Sequence, residues 1–152
     1  TGHLCLATLH ANSSNQAIDR IIHFFPEDRR HQLLMDLSLN LRGMISQRLL
    51  PKKDGKGRLA AIEVMLNSPY ISDLIFKGEV GEIKEAMKKS RELAMQTFDQ
   101  ALFDLYDAGM ISYEDALRNA DSLNDLRLQI KLHSQRSRST DLSAGTEHLT
   151  IV

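Results

Sequence analysis

The start of the chain constrains the fold more than any other stretch. An apolar run at residues 4–9 follows a turn-forming Thr-Gly pair, and small polar residues follow His10. A short apolar run bounded in this way predicts a buried strand, and Ser13 with Gln16 predicts a capped helix directly after it. Because ligands of open α/β sheets collect at the carboxyl ends of strands, His10 would lie where a site forms, and His3 at the other end of the strand or on the preceding turn.

The length and composition indicate one ordinary globular domain, or a half-domain with an appendage. The net charge is -1 over 152 residues, so no basic field favours nucleic acid. The single cysteine, Cys5, excludes an internal disulfide and lies in the apolar run, which predicts a buried and unreactive thiol. No apolar run approaches the roughly 20 residues of a membrane span. The chain begins with a site-like element and without an initiator Met, and we therefore expect it to be the C-terminal part of a longer protein.

Two helices and a β-hairpin are predicted next along the chain. The first helix has apolar residues at helical spacing and ends at Pro26, and the second begins at Glu27 and carries its apolar face as far as Ile45. Residues 45–50 and 59–66 can then extend as two strands joined around an Asp-Gly pair. Basic side chains crowd this turn, namely Lys52, Lys53, Lys56 and Arg58. Two interpretations stay open for them, a solvated loop or a contact with phosphate or with an acidic partner.

From Ser68 onward the sequence predicts only helices. Ser-Pro begins one that stops at Gly78, and Gly109 stops a later one. Further helix starts are indicated by capping residues at Thr97, Ser112 and Ser122. Apolar residues become rare after residue 132, which predicts a disordered tail. The sequence is therefore divided into residues 1–67, a helical domain at residues 68–133 and a disordered tail at residues 134–152.

His3 and His10 flank the predicted first strand, and three interpretations compete for them. They can be ordinary partly buried histidines, ligands of one metal, or members of separate polar sites at the two ends of the strand. An odd spacing places them on opposite faces of a strand, which disfavours a shared metal. The sequence contains no CxxC pair, phosphate-binding glycine loop or Ser-His-Asp set. The residues alone therefore define no complete catalytic constellation.

Several stretches of the chain nevertheless form a specific pattern. Thr1-Gly2-His3-Leu4 and Thr8-Leu9-His10 resemble the histidine box of the secretion-type ATPases that power type IV pili and type II secretion. Matching stretches follow at residues 17–21, 25–26, 45–50, 95–100 and 109–112. The resemblance covers roughly residues 1–132, and within the family it is strongest to the twitching-motility, pilus-retraction branch of the PilT and PilU type.

Two features separate the branches of this family. Pilus-extension and type II secretion ATPases usually carry a four-cysteine zinc cluster where this chain has residues 51–58, which contain no cysteine. Retraction ATPases of the PilT type carry the motif Ala-Ile-Arg-Asn-Leu-Ile-Arg-Glu where this chain has residues 70–77, with Ser72 and Phe76 in place of the two arginines. The resemblance is thus closest to the PilU type. It predicts a protein that works beside a paralogous retraction ATPase, with an exposed Phe76 available for an apolar contact.

The resemblance implies an α/β fold in which residues 1–67 are the C-terminal part of a RecA-like P-loop core and residues 68–133 are a small helical bundle. It implies a homohexamer that binds ATP and Mg²⁺ mainly through residues upstream of this chain. His3 and His10 would be catalytic, Thr8 and His10 would contact the nucleotide, and no residue here would ligate a metal.

The implied function is an ATPase that powers or assists pilus retraction and twitching motility. It would be cytoplasmic and peripheral at the inner-membrane base of the pilus, with the membrane platform protein as a partner and no nucleic acid. Two alternatives stay open: an accessory hexamer subunit in which hydrolysis is secondary, and a helical interaction module without enzymatic activity. The isolated chain is expected to hydrolyse no ATP, since it carries neither a phosphate loop nor a metal-side acid.

Overall fold

The computed structural model describes residues 2–136, which form two compact units. The first unit contains the described residues of Thr1–Arg48 together with Ile62–Thr97. The second contains Leu49–Ala61 and the described residues of Phe98–Val152. No helix in this described part of the chain is long and apolar enough to cross a membrane.

Helices dominate both units, and one β-hairpin contributes residues to each. The first unit contains α1 (Ser14–His23), α2 (Glu27–Asn40), α3 (Pro69–Lys77) and α4 (Ile83–Lys88), with short 3-10 turns at Val80–Glu82 and Arg91–Leu93. The second unit contains α5 (Phe98–Asp107), α6 (Tyr113–Arg118) and α7 (Leu123–His133). The hairpin strands are β1 (Gly43–Pro51) and β2 (Arg58–Leu66), which pair with each other.

Serine caps begin the helices where the sequence predicted them. The hydroxyl of Ser13 accepts a hydrogen bond from the backbone N–H of Gln16 at 3.3 Å, and the hydroxyl of Ser68 accepts one from Ile71 at 3.3 Å. The α3 helix then ends at Gly78, whose φ of 75° is left-handed and therefore suits glycine. Ser112 and Ser122 cap α6 and α7 in the same way. These local predictions are confirmed.

The core of the first unit forms around the open end of the hairpin. Its fully buried side chains come from α1, β2, α3, α4 and the segment before α5: Ile18, Met65, Ile71, Ile75, Ile83, Met87 and Met95. Polar bonds tie α2 to the start of α3, because the side-chain amide of Asn67 donates to the backbone carbonyls of Ser38 and Leu41 at 2.8 and 2.9 Å. These bonds satisfy carbonyls that a helix end leaves without partners.

The second unit has its own core and its own polar ties. The core side chains are Leu50, Ala61, Phe98, Ala101, Leu102, Ile111, Ala116, Leu126 and Ile130. The buried carboxylate of Asp99 accepts hydrogen bonds from the backbone N–H groups of Asp121 and Ser122 at 2.8 and 3.1 Å. One α5 residue thus fixes the turn that leads into α7.

The predicted strand at residues 4–9 is wrong. The segment is irregular and exposed, with Leu4 and Leu6 exposed at 77% and 89%. A strand needs a neighbour that takes its backbone hydrogen bonds. Among the described residues the one sheet is the two-stranded hairpin, and it does not pair with this segment. Cys5 is accordingly exposed rather than buried, which corrects the second expectation for this stretch.

Two smaller predictions fail at the edges of elements. Helix α2 ends at Asn40, so Met44 and Ile45 belong to β1 and not to the helix. An isolated bridge between Val64 and Gln96 also adds an extended contact in a stretch where only helices were predicted. Its two backbone hydrogen bonds are 2.8 and 2.9 Å long, and the pairing joins residues far apart in sequence.

The predicted tail begins too early. Ser134 is buried, and its hydroxyl donates to the carboxylate of Asp107 at 2.7 Å. The guanidinium of Arg136 lies over the ring of Tyr106, 4.8 Å from its centre. The first residues of the predicted tail are therefore packed against α5, and residues 137–152 lie outside the described residues. The predicted domain boundary at residue 67 stays a prediction.

Candidate functional site

All three residues predicted to act on nucleotide lie in the segment that precedes α1. His3, Thr8 and His10 are exposed, and the segment is irregular from residue 2 to residue 11. Among residues 2–136, no group of three or more His, Cys, Asp or Glu side chains is arranged to hold a metal ion. The chemistry of this segment therefore rests on individual imidazole and hydroxyl groups that are open to an approaching ligand.

His10 lies at the corner of a tight turn. The backbone N–H of Ala11 donates to the carbonyl of Leu9 at 3.0 Å, which closes a three-residue turn around His10. Among the described non-glycine residues only Ala94 has a positive φ, so φ of His10 is negative. A three-residue turn with a negative φ at its centre is an inverse γ-turn. Such turns are common where a strand ends and a loop begins. The sequence placed His10 at the end of an extended run, and it does stand where the chain changes direction.

Side chains from three elements hold the residues that follow this corner. The side-chain carbonyl of Gln16 accepts from the backbone N–H of Asn12 at 2.6 Å. The guanidinium of Arg48, on β1, donates to the carbonyl of Asn12 at 3.1 Å. Gln16 therefore completes a cap, as predicted, but it reaches one residue further back than the N-cap Ser13. Both backbone polar groups of Asn12, its N–H and its carbonyl, are therefore held by side chains.

The third contact is a buried carboxylate that the sequence analysis missed. Glu63 on β2 is only 2% exposed, and its Oε1 atom accepts from the backbone N–H of Ser14 at 2.7 Å. Ser14 is the first residue of α1, so its N–H is one of the groups that a helix leaves unpaired. In the structure Ala61, Glu63 and Met65 are buried in turn along β2, but the sequence carries no clear signal of this, because Ile62 and Val64 on the other face are also apolar. An acid on the inward face of a strand requires a polar partner.

The two residues that stand in place of the retraction-motif arginines, Ser72 and Phe76 on α3, contact α2. Ser72 donates its hydroxyl to the carbonyl of Ser38 at 2.7 Å, and the ring of Phe76 packs against His31 with centres 5.8 Å apart. Phe76 is 43% exposed, so part of the ring stays open to solvent. A hydrogen bond from Lys77 to Asp73 at 2.6 Å, reinforced by their opposite charges, raises the pKa of the lysine.

The basic turn of the hairpin is exposed along its length. Lys52, Lys53, Lys56 and Arg58 are all exposed, which fits a solvated loop and also leaves them open to an anion. Gly55 and Gly57 have φ values of 71° and 89°, which shape the turn. The backbone N–H of Lys53 donates to the carbonyl of Met110 at 2.9 Å, so the turn is fixed rather than free. Both interpretations of its charges stay open.

Comparison with known proteins identifies what this arrangement is similar to. Residues 1–118 match the family described as type II/IV secretion system protein. The chain is 62% identical, over 99% of its length, to the type IV pilus ATPase PilU of Pseudomonas aeruginosa. It is 40% identical, over 79% of its length, to the type IV pilus retraction ATPase PilT of the same organism. The chain spans 39% and 35% of the lengths of these two relatives.

The fold agrees with a solved relative. A crystal structure of the pilus retraction motor PilT with bound ADP superposes with a TM-score of 0.75 at 37% identity, over 84% of this chain and 35% of that one. The predicted mixed α/β class is confirmed by this likeness together with the observed helices and hairpin. The predicted resemblance to pilus-retraction ATPases is likewise confirmed, and the identity to PilU, at 62%, is higher than the 40% to PilT.

Proposed function

Since the chain belongs to the type II/IV secretion system protein family, we propose that it is the C-terminal part of a hexameric ATPase that powers or assists type IV pilus retraction and twitching motility. The observation that carries the proposal is identity of 62% to a pilus ATPase along nearly the whole chain. An identity this high over nearly all of this chain supports the same architecture for the part that the chain spans. The RecA-like core would be completed by residues that this chain does not include.

The nucleotide would meet this chain at the segment before α1. His10 stands exposed at a turn corner, and Thr8 lies exposed two residues earlier. Imidazole and hydroxyl donors suit phosphate oxygens, so these residues fit ATP as a ligand. Residues 2–13 include no Asp or Glu, and Mg²⁺ prefers carboxylate oxygens, so the metal would be held elsewhere in the complete protein.

His10 would act as a donor on the γ-phosphate or on the group that orients the attacking water. ATP supplies the phosphoryl group, and charge shifts on its oxygens as the bond to it breaks. A donor that strengthens with this charge lowers the barrier more than it tightens ground-state binding. His3 would serve the same site from the other end of the segment.

The test is steady-state ATP hydrolysis by the full-length protein. His10→Ala should lower kcat by about 10²-fold or more and change KM by only a few-fold. His23→Ala is the matched control, because His23 is an exposed histidine of the same unit whose ring bonds to the carbonyl of Asp19 within α1. Unchanged kcat with a raised KM would assign His10 to binding alone, and the absence of hydrolysis by the wild-type protein would refute the proposed activity.

A second candidate is an accessory subunit whose main role is coupling to a paralogous retraction ATPase. Ser72 and Phe76 favour it, because they stand where PilT-type proteins carry two arginines and their contacts are to Ser38 and His31. Neither side chain can replace the planar, permanently charged fork of arginine. Twitching motility in a strain whose sole retraction ATPase is this protein separates the candidates: normal retraction supports the independent motor, and its loss supports the accessory role.

The remaining partners follow from the same proposal. The hexamer would consist of copies of this chain, and it would be cytoplasmic at the inner-membrane base of the pilus beside the platform protein. The basic turn at residues 52–58 is available for an acidic partner in that setting. No nucleic acid is proposed, since the net charge of -1 supplies no general attraction for it.

A further inference from the structure

We infer that Glu63 is a positioning residue for His10, acting through the backbone of Ser14, with Arg48 as its counterpart on the neighbouring strand. The inference rests on the proposed function, in which His10 acts on the nucleotide. Glu63 and Arg48 themselves would touch neither nucleotide nor metal. They would set where the histidine-bearing segment stands relative to the hairpin.

The contacts divide into local ones and ones that reach across the fold. The cap by Ser13 and the bond from Asn12 to Gln16 lie within α1 and its lead-in, so they would move together with the helix. The bonds to Glu63 and Arg48 come from β2 and β1, 49 and 36 residues away in sequence. Among these contacts, only the two strand side chains fix the segment to a different element.

The bond to Glu63 is suited to hold a fixed position. The carboxylate is 2% exposed, and the bond is 2.7 Å long, within the range of charge-assisted hydrogen bonds. Glu63 also faces the positive end of the α1 dipole, which favours a negative charge there. Burying a carboxylate without a hydrogen-bond partner costs free energy, so breaking this bond is unfavourable.

The distance along the chain makes the effect on His10 direct. Ser14 follows His10 by four residues, and the backbone between them is already turned at Leu9–Ala11 and clamped at Asn12. A shift of α1 away from β2 would therefore be passed on to the imidazole. Misplacement of a reacting group by about 1 Å can lower the rate about 10²-fold, so the expected signature is a loss of kcat.

Substitution of Glu63 in the full-length protein gives the first test. Glu63→Ala removes the acceptor and should lower kcat about 10- to 100-fold with KM changed by only a few-fold. Glu63→Gln replaces the carboxylate with an amide whose oxygen can still accept the hydrogen bond from Ser14. This variant should therefore retain more activity than Glu63→Ala. Met65→Ala is the matched control: it removes a fully buried side chain from the same face of β2 and leaves the segment's contacts intact.

A pair of substitutions at Ser14 tests the same bond from its other side. Ser14→Ala and Ser14→Pro both remove the hydroxyl, which has no hydrogen-bond partner among the described residues. Only Ser14→Pro also removes the N–H that Glu63 binds. Proline is tolerated at the first position of a helix, and Ser13 has extended angles (φ -159°, ψ 165°) that suit a residue before proline. Ser14→Pro should lose kcat as Glu63→Ala does, and Ser14→Ala should not.

The outcomes are distinct. Equal kcat for wild type and Glu63→Ala, or for the two Ser14 variants, overturns the inference while the proposed ATPase stands. The kcat of each variant is divided by its folded fraction, which thermal unfolding measures. A similar loss of kcat in Met65→Ala would then show that Glu63 acts through general stability, and it would also overturn the inference. If Glu63→Ala does not fold, the Ser14 pair decides. Absence of hydrolysis by wild type refutes the proposed function instead.

Discussion

Residues 4–9 and the hairpin β1–β2 carry similar sequence signals and have opposite structures. Both are short apolar runs bounded by turn residues, and both were predicted to be strands. The hairpin brings its own neighbour through a turn of a few residues, and its strands pair along Gly43–Pro51 and Arg58–Leu66. Residues 4–9 have no such neighbour within the described chain, and their leucines are exposed.

The difference shows that an apolar pattern predicts which segment would be stabilised by burial. Whether the segment is buried depends on backbone pairing with a neighbouring strand. A strand exposes a row of N–H and C=O groups along each edge, and these need partners before its side chains can be covered. For β1 and β2 the partner is encoded locally by the turn. For residues 4–9 no partner lies among the described residues. In the RecA-like core that we propose, a strand outside this chain would be that partner.

The largest expected effect compares leucines from the two regions. Leu50→Ala removes a fully buried side chain of β1 and should lower the free energy of unfolding by about 2–5 kcal/mol. Leu6→Ala, at 89% exposure, should change it by less than about 0.5 kcal/mol. Urea denaturation of this chain measures both. Leu49→Ala is a further control, since Leu49 is the exposed neighbour of Leu50 on the same strand.

A large loss of stability in Leu6→Ala would break the comparison, because it would mean that residues 4–9 are covered in solution. A negligible loss in Leu50→Ala would break it from the other side, since the hairpin would then carry no core. Either result would show that the contrast between the two regions is not one of burial.

A smaller effect is expected for glycines with positive φ. Gly57 in the hairpin turn and Gly2 before the apolar run have φ values of 89° and 84°, and neither has an atom within 4 Å of where a Cβ would stand. Gly57→Ala should lower the free energy of unfolding by about 1–2 kcal/mol, because the turn holds the backbone in a left-handed region that alanine avoids.

Gly2→Ala should leave that free energy unchanged, because an unpaired segment can relax to another conformation without losing contacts. Urea denaturation of the two variants in parallel checks the difference. Equal losses for both substitutions would indicate that the first residues are held as firmly as the turn, which contradicts the exposed and irregular structure of that segment.

The features predicted correctly from sequence are those with local causes. The caps at Ser13 and Ser68 and the stop at Gly78 depend on residues within one helical turn, so the sequence is sufficient to place them. The end of α2 at Asn40 was missed because its apolar spacing continues smoothly into the strand that begins at Gly43.

The features that were missed have long-range causes. Glu63 acquires its role from a backbone N–H 49 residues earlier in the chain, and the bridge of Gln96 to Val64 likewise joins separate segments. The apolar periodicity of one strand does not identify a hydrogen-bond partner that is distant in sequence. The same limit explains the error at residues 4–9, where the pattern was read correctly as strand-like and the required neighbour was assumed.

The smallest expected effect concerns Cys5, the one thiol of the chain, which reports directly on the unpaired run. Because Cys5 is exposed, no free energy is needed to open its segment to a thiol reagent. The labelling rate of Cys5 in this chain should therefore match its rate in urea-unfolded protein within about threefold. In the full-length protein the proposed neighbour would pair with residues 4–9 and slow labelling at least about tenfold. A chain that already protects Cys5 tenfold would have a covered segment, and the comparison with the hairpin would fail. Fast labelling in both proteins would keep the comparison and remove the proposed strand partner.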